Sequence, residues 1–179
     1  LASELAARAP GDGYTLVVTP ITILATFKQL YGNLSYDPEK DLVPITVLTS
    51  TPQVLEVNPQ MPVRNFQEFA AHLKKDGKSL NFGTPGIGTF PHLAAELLKM
   101  RLGVESTHVP YRGTAPFVDA ILKNEVQWAI DILGTSVSQK EKVRVLAVAS
   151  KTRIAEHPDV PTFTEVGYPE IDPSTMFLM

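Results

Sequence analysis

The sequence predicts an α/β protein built on doubly wound sheets, and three observations carry that expectation. Short apolar runs alternate with helical stretches of about 10 to 14 residues, the rhythm of βαβ units. The runs "YTLVVT", "VQWAID" and "VRVLAVAS" are almost continuously apolar, as strands covered on both faces require. Turns rich in glycine and proline punctuate the elements, and no repeat or low-complexity stretch interrupts them.

Taken in order, "LASELAARA" reads as a helix stopped by Pro10 and the Gly-Asp-Gly turn at 11 to 13. "YTLVVT" (14 to 19) reads as a parallel strand closed by Pro20, and "ITILATFKQLYG" as a helix ending at Gly32. "VPITVLTSTPQVLEVNP" (43 to 59) holds two β runs, divided at Thr51-Pro52 and ended by Asn58-Pro59. Asn65 with Glu68 three positions on resembles a capping box. Behind it Phe66, Phe69, Ala70 and Leu73 share one helical face. There follow a strand in "SLNFGT", a helix in "FPHLAAELLKMRLG", a strand in "STHVPY", a helix in "APFVDAILKN", and strands at 126 to 131 and 143 to 150. The opening residues read as the tail of an amphipathic helix and "STMFLM" as the start of a strand, so the sequence reads as cut inside elements at both ends.

Composition narrows the function classes. The 179 residues carry a formal net charge of -3 and no basic run, which argues against a nucleic-acid binder or a phosphate-backbone partner. With no cysteine, thiolate metal sites, disulfides and cysteine nucleophiles are excluded. No apolar stretch approaches the ~20 residues of a membrane span, so the chain is not membrane-embedded. "LASELAARAP" lacks the basic start and apolar run of a signal peptide.

The run Gly83-Thr84-Pro85-Gly86-Ile87-Gly88-Thr89 stands between a strand and a helix. It is neither a P-loop, which needs Lys-Ser/Thr after its last glycine, nor the dinucleotide fingerprint, since its glycines space as G-x-x-G-x-G. Glycines let backbone approach a ligand, and N–H groups at a helix start favour an anion. A tight turn with no ligand accounts for the stretch equally well. Thr89 is placed to cap the helix, and Pro91 is tolerated in its first turn. "VPYRGTAP" repeats the strand–turn–helix pattern with Gly113 in the turn and Thr114 as a cap. Asp131 ends an apolar strand. Open α/β sheets bind ligands outside the carboxyl ends of their strands, and all three places lie there. His92 and Glu96 sit four apart, but no further histidine completes a metalloprotease motif, so His92 reads as capping or hydrogen-bonding locally. Trp128 reads as core. No nucleophile–base set can be assembled, and Gly-x-Ser-x-Gly is absent.

Together these motifs resemble the tripartite tricarboxylate transporter receptor family, the Bordetella uptake gene receptors. The matching stretches are "APGDGYTLVVT", "LSYDPEKDLVPIT", "VNPQMPV", "LNFGTPGIGTFPHLAAELLK", "VPYRGTAP", "VRVLAVAS" and "HPDVPTFTEVG", in family order. The resemblance implies a two-domain periplasmic-binding-protein-like (type II) fold, with the first domain incomplete in this chain. It assigns residues 1–52 and 148–179 to the first domain and 53–147 to the second. It implies a periplasmic receptor, not an enzyme, that captures a small organic acid or amino acid between domains and presents it to membrane transporter subunits. No cofactor is implied. The alternative is an α/β enzyme acting on a small organic acid, which would need a cleft base beyond Asp131.

Carried over by position, the family's Gly-Asn-Gly-Thr-Ser-x-His falls on Gly86, Ile87, Gly88, Thr89, Phe90, Pro91 and His92, so two polar residues become apolar. Thr84 opens that loop. The family's Tyr-Lys-Gly-Ser/Thr turn falls on Tyr111, Arg112, Gly113 and Thr114, and its pocket aspartate on Asp131, which meets the amino group in members that bind amino acids. Thr19 and Thr22 fall on a ligand-facing loop of the first domain. The apolar Ile87 and Phe90 favour a small monoacid with a donor or ring over citrate. The segment after Asp131 lacks the family's Pro-His-Ile-Lys-x-Gly pattern.

Overall fold

The computed structural model describes residues 2–139, 142–171 and 174–179; Leu1, which opens the first expected helix, lies outside them. The chain divides into two compact units, residues 1–50 with 175–179, and residues 51–174.

The first unit carries α1 (Ala2–Ala7), β1 (Thr19–Pro20), α2 (Thr22–Ala25), α3 (Phe27–Tyr31), β2 (Val47–Thr51) and β8 (Thr175–Leu178), with sheet order β1-β8-β2. The strand expected at 14 to 19 is mostly absent. Only Thr19 and Pro20 form a ladder, antiparallel to β8. Tyr14 is 92% exposed, and Leu16 and Val18 are also exposed, because no described strand pairs with them. The single helix expected to end at Gly32 breaks at Thr26, whose φ is −129°. Both the N–H and the hydroxyl of Thr26 donate to the Thr22 carbonyl, a local bond that competes with continued helix. Gly32, at φ 59°, ends α3 where the sequence places the stop.

The second unit holds β3 (Gln53–Val57), α4 (Phe66–Asp76), a 3₁₀ turn (Gly77–Ser79), β4 (Asn81–Thr84), α5 (Phe90–Leu102), β5 (Thr107–Pro110), α6 (Thr114–Leu122), β6 (Trp128–Ile132), α7 (Leu133–Ser138) and β7 (Arg144–Ala149). Its sheet runs β5-β4-β6-β3-β7. β4 is parallel to β5 and β6, as the βα alternation predicts, while β3 is antiparallel to both its neighbours. Apolar layers cover both faces, which makes the sheet doubly wound. Phe66, Phe69 and Leu73 of α4 and Leu98 of α5 pack with Leu55, Phe82, Trp128 and Ile130 on one face. Phe117, Ala120 and Ile121 of α6 pack with Val126 and Ala129 on the other. Burying each large side chain of this kind contributes about 1.5–3 kcal/mol.

The capping box forms with one shift. Asn65 Oδ1 accepts the Glu68 N–H at 2.9 Å, but the Glu68 carboxylate accepts from the Arg64 N–H, one residue before the cap. The first domain boundary expected from the resemblance falls two residues from the observed one. The second does not: residues 148–174 stay with the second unit. Val148 bridges to Thr162, and Phe163 and Tyr168 pack edge-on or tilted against Phe66 at 6.0 and 5.3 Å. An apolar cluster on α4 therefore holds the segment that the resemblance assigns to the first domain.

Gly83 lies inside β4, where a Cβ would come within 2.8 Å of the Phe117 ring and 2.9 Å of Val126. Both neighbours are fully buried and have little freedom to move. Gly83→Ala is therefore expected to destabilise the protein by about 1–3 kcal/mol in urea unfolding, the usual range for overpacking.

Candidate functional site

Because β5, β4 and β6 are parallel neighbours, the chain leaves all three at one edge of the sheet. Backbone bonds fasten the loops there. Tyr111 N–H donates to the Thr84 carbonyl at 2.9 Å, Gly113 N–H to Pro85 at 3.0 Å, and Leu133 N–H to Pro52 at 2.9 Å. This edge gathers Thr84, Gly86, Ile87, Gly88, Thr89, His92, Tyr111, Gly113, Thr114 and Asp131. Thr19 and Thr22 belong to the first unit, where both are buried.

The glycine loop is shaped by its own side chains. The hydroxyls of Thr84 and Thr89 both donate to the Gly86 carbonyl, at 3.3 and 2.8 Å. Gly88 takes the left-handed φ of 77° that suits glycine, and its N–H donates to His92 Nδ1 at 3.2 Å. The donor expected to face a ligand is thus held by His92, which performs the local hydrogen bonding its position suggests. Thr89 does occupy the N-cap position of α5, but its hydroxyl makes no cap bond because it is turned back to Gly86. Among the described residues, the Phe90 N–H has no protein acceptor, and that of Thr89 closes the turn at 87–88 toward the Gly86 carbonyl. Likewise Gly113, not Thr114, caps α6, and Thr114 is its first residue.

One residue of this site was missed from the sequence. His108 Nε2 lies 2.7 Å from Thr84 Oγ1. Its ring stacks on His92 at 4.3 Å and on Phe82 at 4.8 Å, and Phe82 stacks on Trp128 at 4.9 Å. Trp128 is core, as expected. Burial, then the neighbouring His92, lowers the His108 pKa to about 4. Burial likewise lowers that of His92. Glu96 binds Lys99 at 2.9 Å, and no group of metal-ligating side chains exists among the described residues.

Asp131 ends β6 at 1% exposure. Its carboxylate takes hydrogen bonds from the Ile132 backbone and the Thr135 hydroxyl, yet Oδ2 has no partner among the described residues. Burial raises its pKa to about 6 against those bonds. Glu56, which the sequence reading did not single out, lies on the neighbouring β3. It is fully buried, and neither carboxylate oxygen has a partner among the described residues. A glutamate between apolar residues in the run Val54–Val57 was the available signal. An open groove of about 520 Å³ lies elsewhere, between Leu73–Ser79 and Gly103–Glu105 at the amino ends of the strands.

A family model described as "Tripartite tricarboxylate transporter family receptor" matches residues 1–179. A UPF0065 protein in the tcbD-tcbE intergenic region of Pseudomonas sp. (strain P51) is 34% identical over 170 residues, 93% of this chain and 50% of its own length. Among solved structures, an R. palustris protein with adipate is 32% identical at a TM-score of 0.94, covering 99% of this chain and 60% of that one. A Rhodopseudomonas palustris protein, MatC, with bound malate is 30% identical at a TM-score of 0.89, covering 99% and 61%. The chain spans about half the length of the curated relative and about 60% of the solved structures.

The histidine stack makes stability depend on pH. A folded pKa near 4, below the ordinary histidine value of 6.5, means that folding holds His108 neutral. Its contribution is complete above about pH 6.5 and is lost as pH falls toward 4. The expected result is a thermal midpoint that falls faster across this window in wild type than in His108→Gln, measured by circular dichroism.

Proposed function

Since the chain belongs to the tripartite tricarboxylate transporter receptor family, a family of receptors and not of enzymes, we propose that it captures a small carboxylate for uptake. The observation that supports this most is the carboxyl edge of the β5-β4-β6 strands, where the backbone N–H groups of Thr89 and Phe90 stand at the start of α5. Such donors carry the positive end of the helix dipole and suit a carboxylate without a neighbouring cation. The similar proteins solved with adipate and with malate are consistent with that ligand class.

In this reading the carboxylate sits on Thr89 and Phe90, with Thr84, Gly86, Ile87, Gly88 and His92 shaping the loop. Tyr111, Gly113 and Thr114 flank it, and Asp131 meets the ligand's far end. Thr19 and Thr22 are further contacts on the resemblance alone. Ile87 is 48% exposed and Phe90 half-buried, so the surroundings of the seat are partly apolar. The working partners are membrane transporter subunits and the compartment is the periplasm. No helix among the described residues is long and apolar enough to cross a membrane.

Calorimetric titration with adipate, malate, glutamate, nicotinate and citrate tests the proposal. At least one of these is expected to bind and to raise the melting temperature by a few degrees at about a hundredfold excess over Kd. Gly88→Val should weaken that binding tenfold or more, while left-handed strain costs only about 1–2 kcal/mol of stability. No binding across the panel would overturn the proposal.

A further inference from the structure

The two carboxyl groups buried in the second unit have no role in the fold's hydrogen bonding that would justify two charges. In the β3–β6 ladder Val54 stands opposite Asp131 and Glu56 opposite Ala129. Side chains alternate along a strand, so Glu56 and Asp131 project from the same face as diagonal neighbours. That face is packed with Phe117, Ile121, Val126 and Ala129. Glu56 is 0% and Asp131 1% exposed. Three of their four carboxylate oxygens have no hydrogen-bond partner among the described residues.

Among the described residues, the charged groups nearby do not offset two anions. α7 offers only hydroxyls, of which Thr135 bonds Asp131. On α6 the one titratable residue, Asp119, is exposed and would add to the repulsion, and Lys123 beyond it is also exposed. β4 has no titratable group. Arg144 of β7 stands opposite Val57, on the other face, and its guanidinium is bonded to the carbonyls of Met61 and Val63. Two adjacent ionised carboxylates in such a place would each carry an uncompensated desolvation cost and repel one another, so one keeps its proton.

We propose that Glu56 and Asp131 form an electrostatically linked carboxyl pair that carries a single negative charge near neutral pH, and that Glu56 is the positioning residue that places this charge on Asp131. The direction follows from the surroundings. Asp131 has two donors to stabilise its anion, whereas Glu56 has none. Burial, then Asp131, pushes Glu56 well above the usual carboxylate range. The consequence for binding rests on the reading of Asp131 as ligand-facing. A neutral Glu56 leaves Asp131 an acceptor for a hydroxyl or ammonium of the ligand. Protonation of both in acid would make Asp131 a donor, suited to a second ligand carboxylate.

The proton count is measurable in the ligand-free protein, so its failure is separable from failure of the receptor reading. In carbon-13 NMR of labelled protein from pH 4 to 9, the Glu56 carboxyl carbon is expected to keep its protonated position at pH 7. Asp131 should move to the ionised position around pH 6. In Asp131→Asn, Glu56 should titrate at a lower pH than in wild type. Both groups ionised at pH 7, or a Glu56 titration unmoved by Asp131→Asn, would overturn the pair. As a second measurement, Glu56→Gln should raise the melting temperature relative to wild type by roughly 3 °C or more at pH 9, and by less at pH 5. Raised carboxyl pKa values remove stability as pH rises, so the substitution removes that loss. An equal destabilisation of Glu56→Gln at both pH values would count against the proposal.

Discussion

A side chain has no room at Gly83, and the carboxyl edge depends on that. The glycine lets Phe117 of α6 and Val126 close against β4 at a separation that a methyl group would violate. α6 is the crossover between β5 and β6, the two strands that flank β4 in parallel. Seated there, it brings the ends of all three strands to one edge. The glycine loop, the Tyr111–Gly113 turn and Asp131 therefore lie at that one edge. A glycine that reads as part of a ligand loop in sequence is therefore a packing glycine in the structure, while Gly88 supplies the left-handed turn.

The sheet separates two kinds of chemistry by the alternation of β4 and β6. Phe82 and Trp128 stack toward the histidines on one face, and Asp131 joins Glu56 on the other. Burial moves the two sets in opposite senses. It keeps His108 neutral by lowering its pKa and drives the carboxyls toward neutrality by raising theirs. Acid therefore works against the histidine stack and alkali against the carboxyl pair.

Much of this was legible in the residues. The parallel strands, α4 behind Asn65, α5 ending at Gly103 and the gathering of loops at strand ends all follow from periodicity and turn chemistry. The misses have physical causes. "YTLVVT" has the composition of a covered strand, but composition does not supply a partner ladder. β3 is apolar enough for a central strand, yet direction is not written in apolarity. Thr89 is a good capping residue, but the Gly86 carbonyl offered its hydroxyl another acceptor. His108 carries no local pattern, and Glu56 only the apolar residues on either side of it. Each gains its significance from a neighbour distant in sequence, His92 in one case and Asp131 in the other.

The most direct test of the carboxylate seat is a map of backbone amide shifts as adipate or malate is added to the nitrogen-15-labelled protein. The seat predicts saturable shifts of Thr89, Phe90 and His92, with smaller ones at Tyr111–Thr114 and Ile132. Saturable shifts confined to Leu73–Ser79 and Gly103–Glu105, the groove at the opposite ends of the strands, would contradict it.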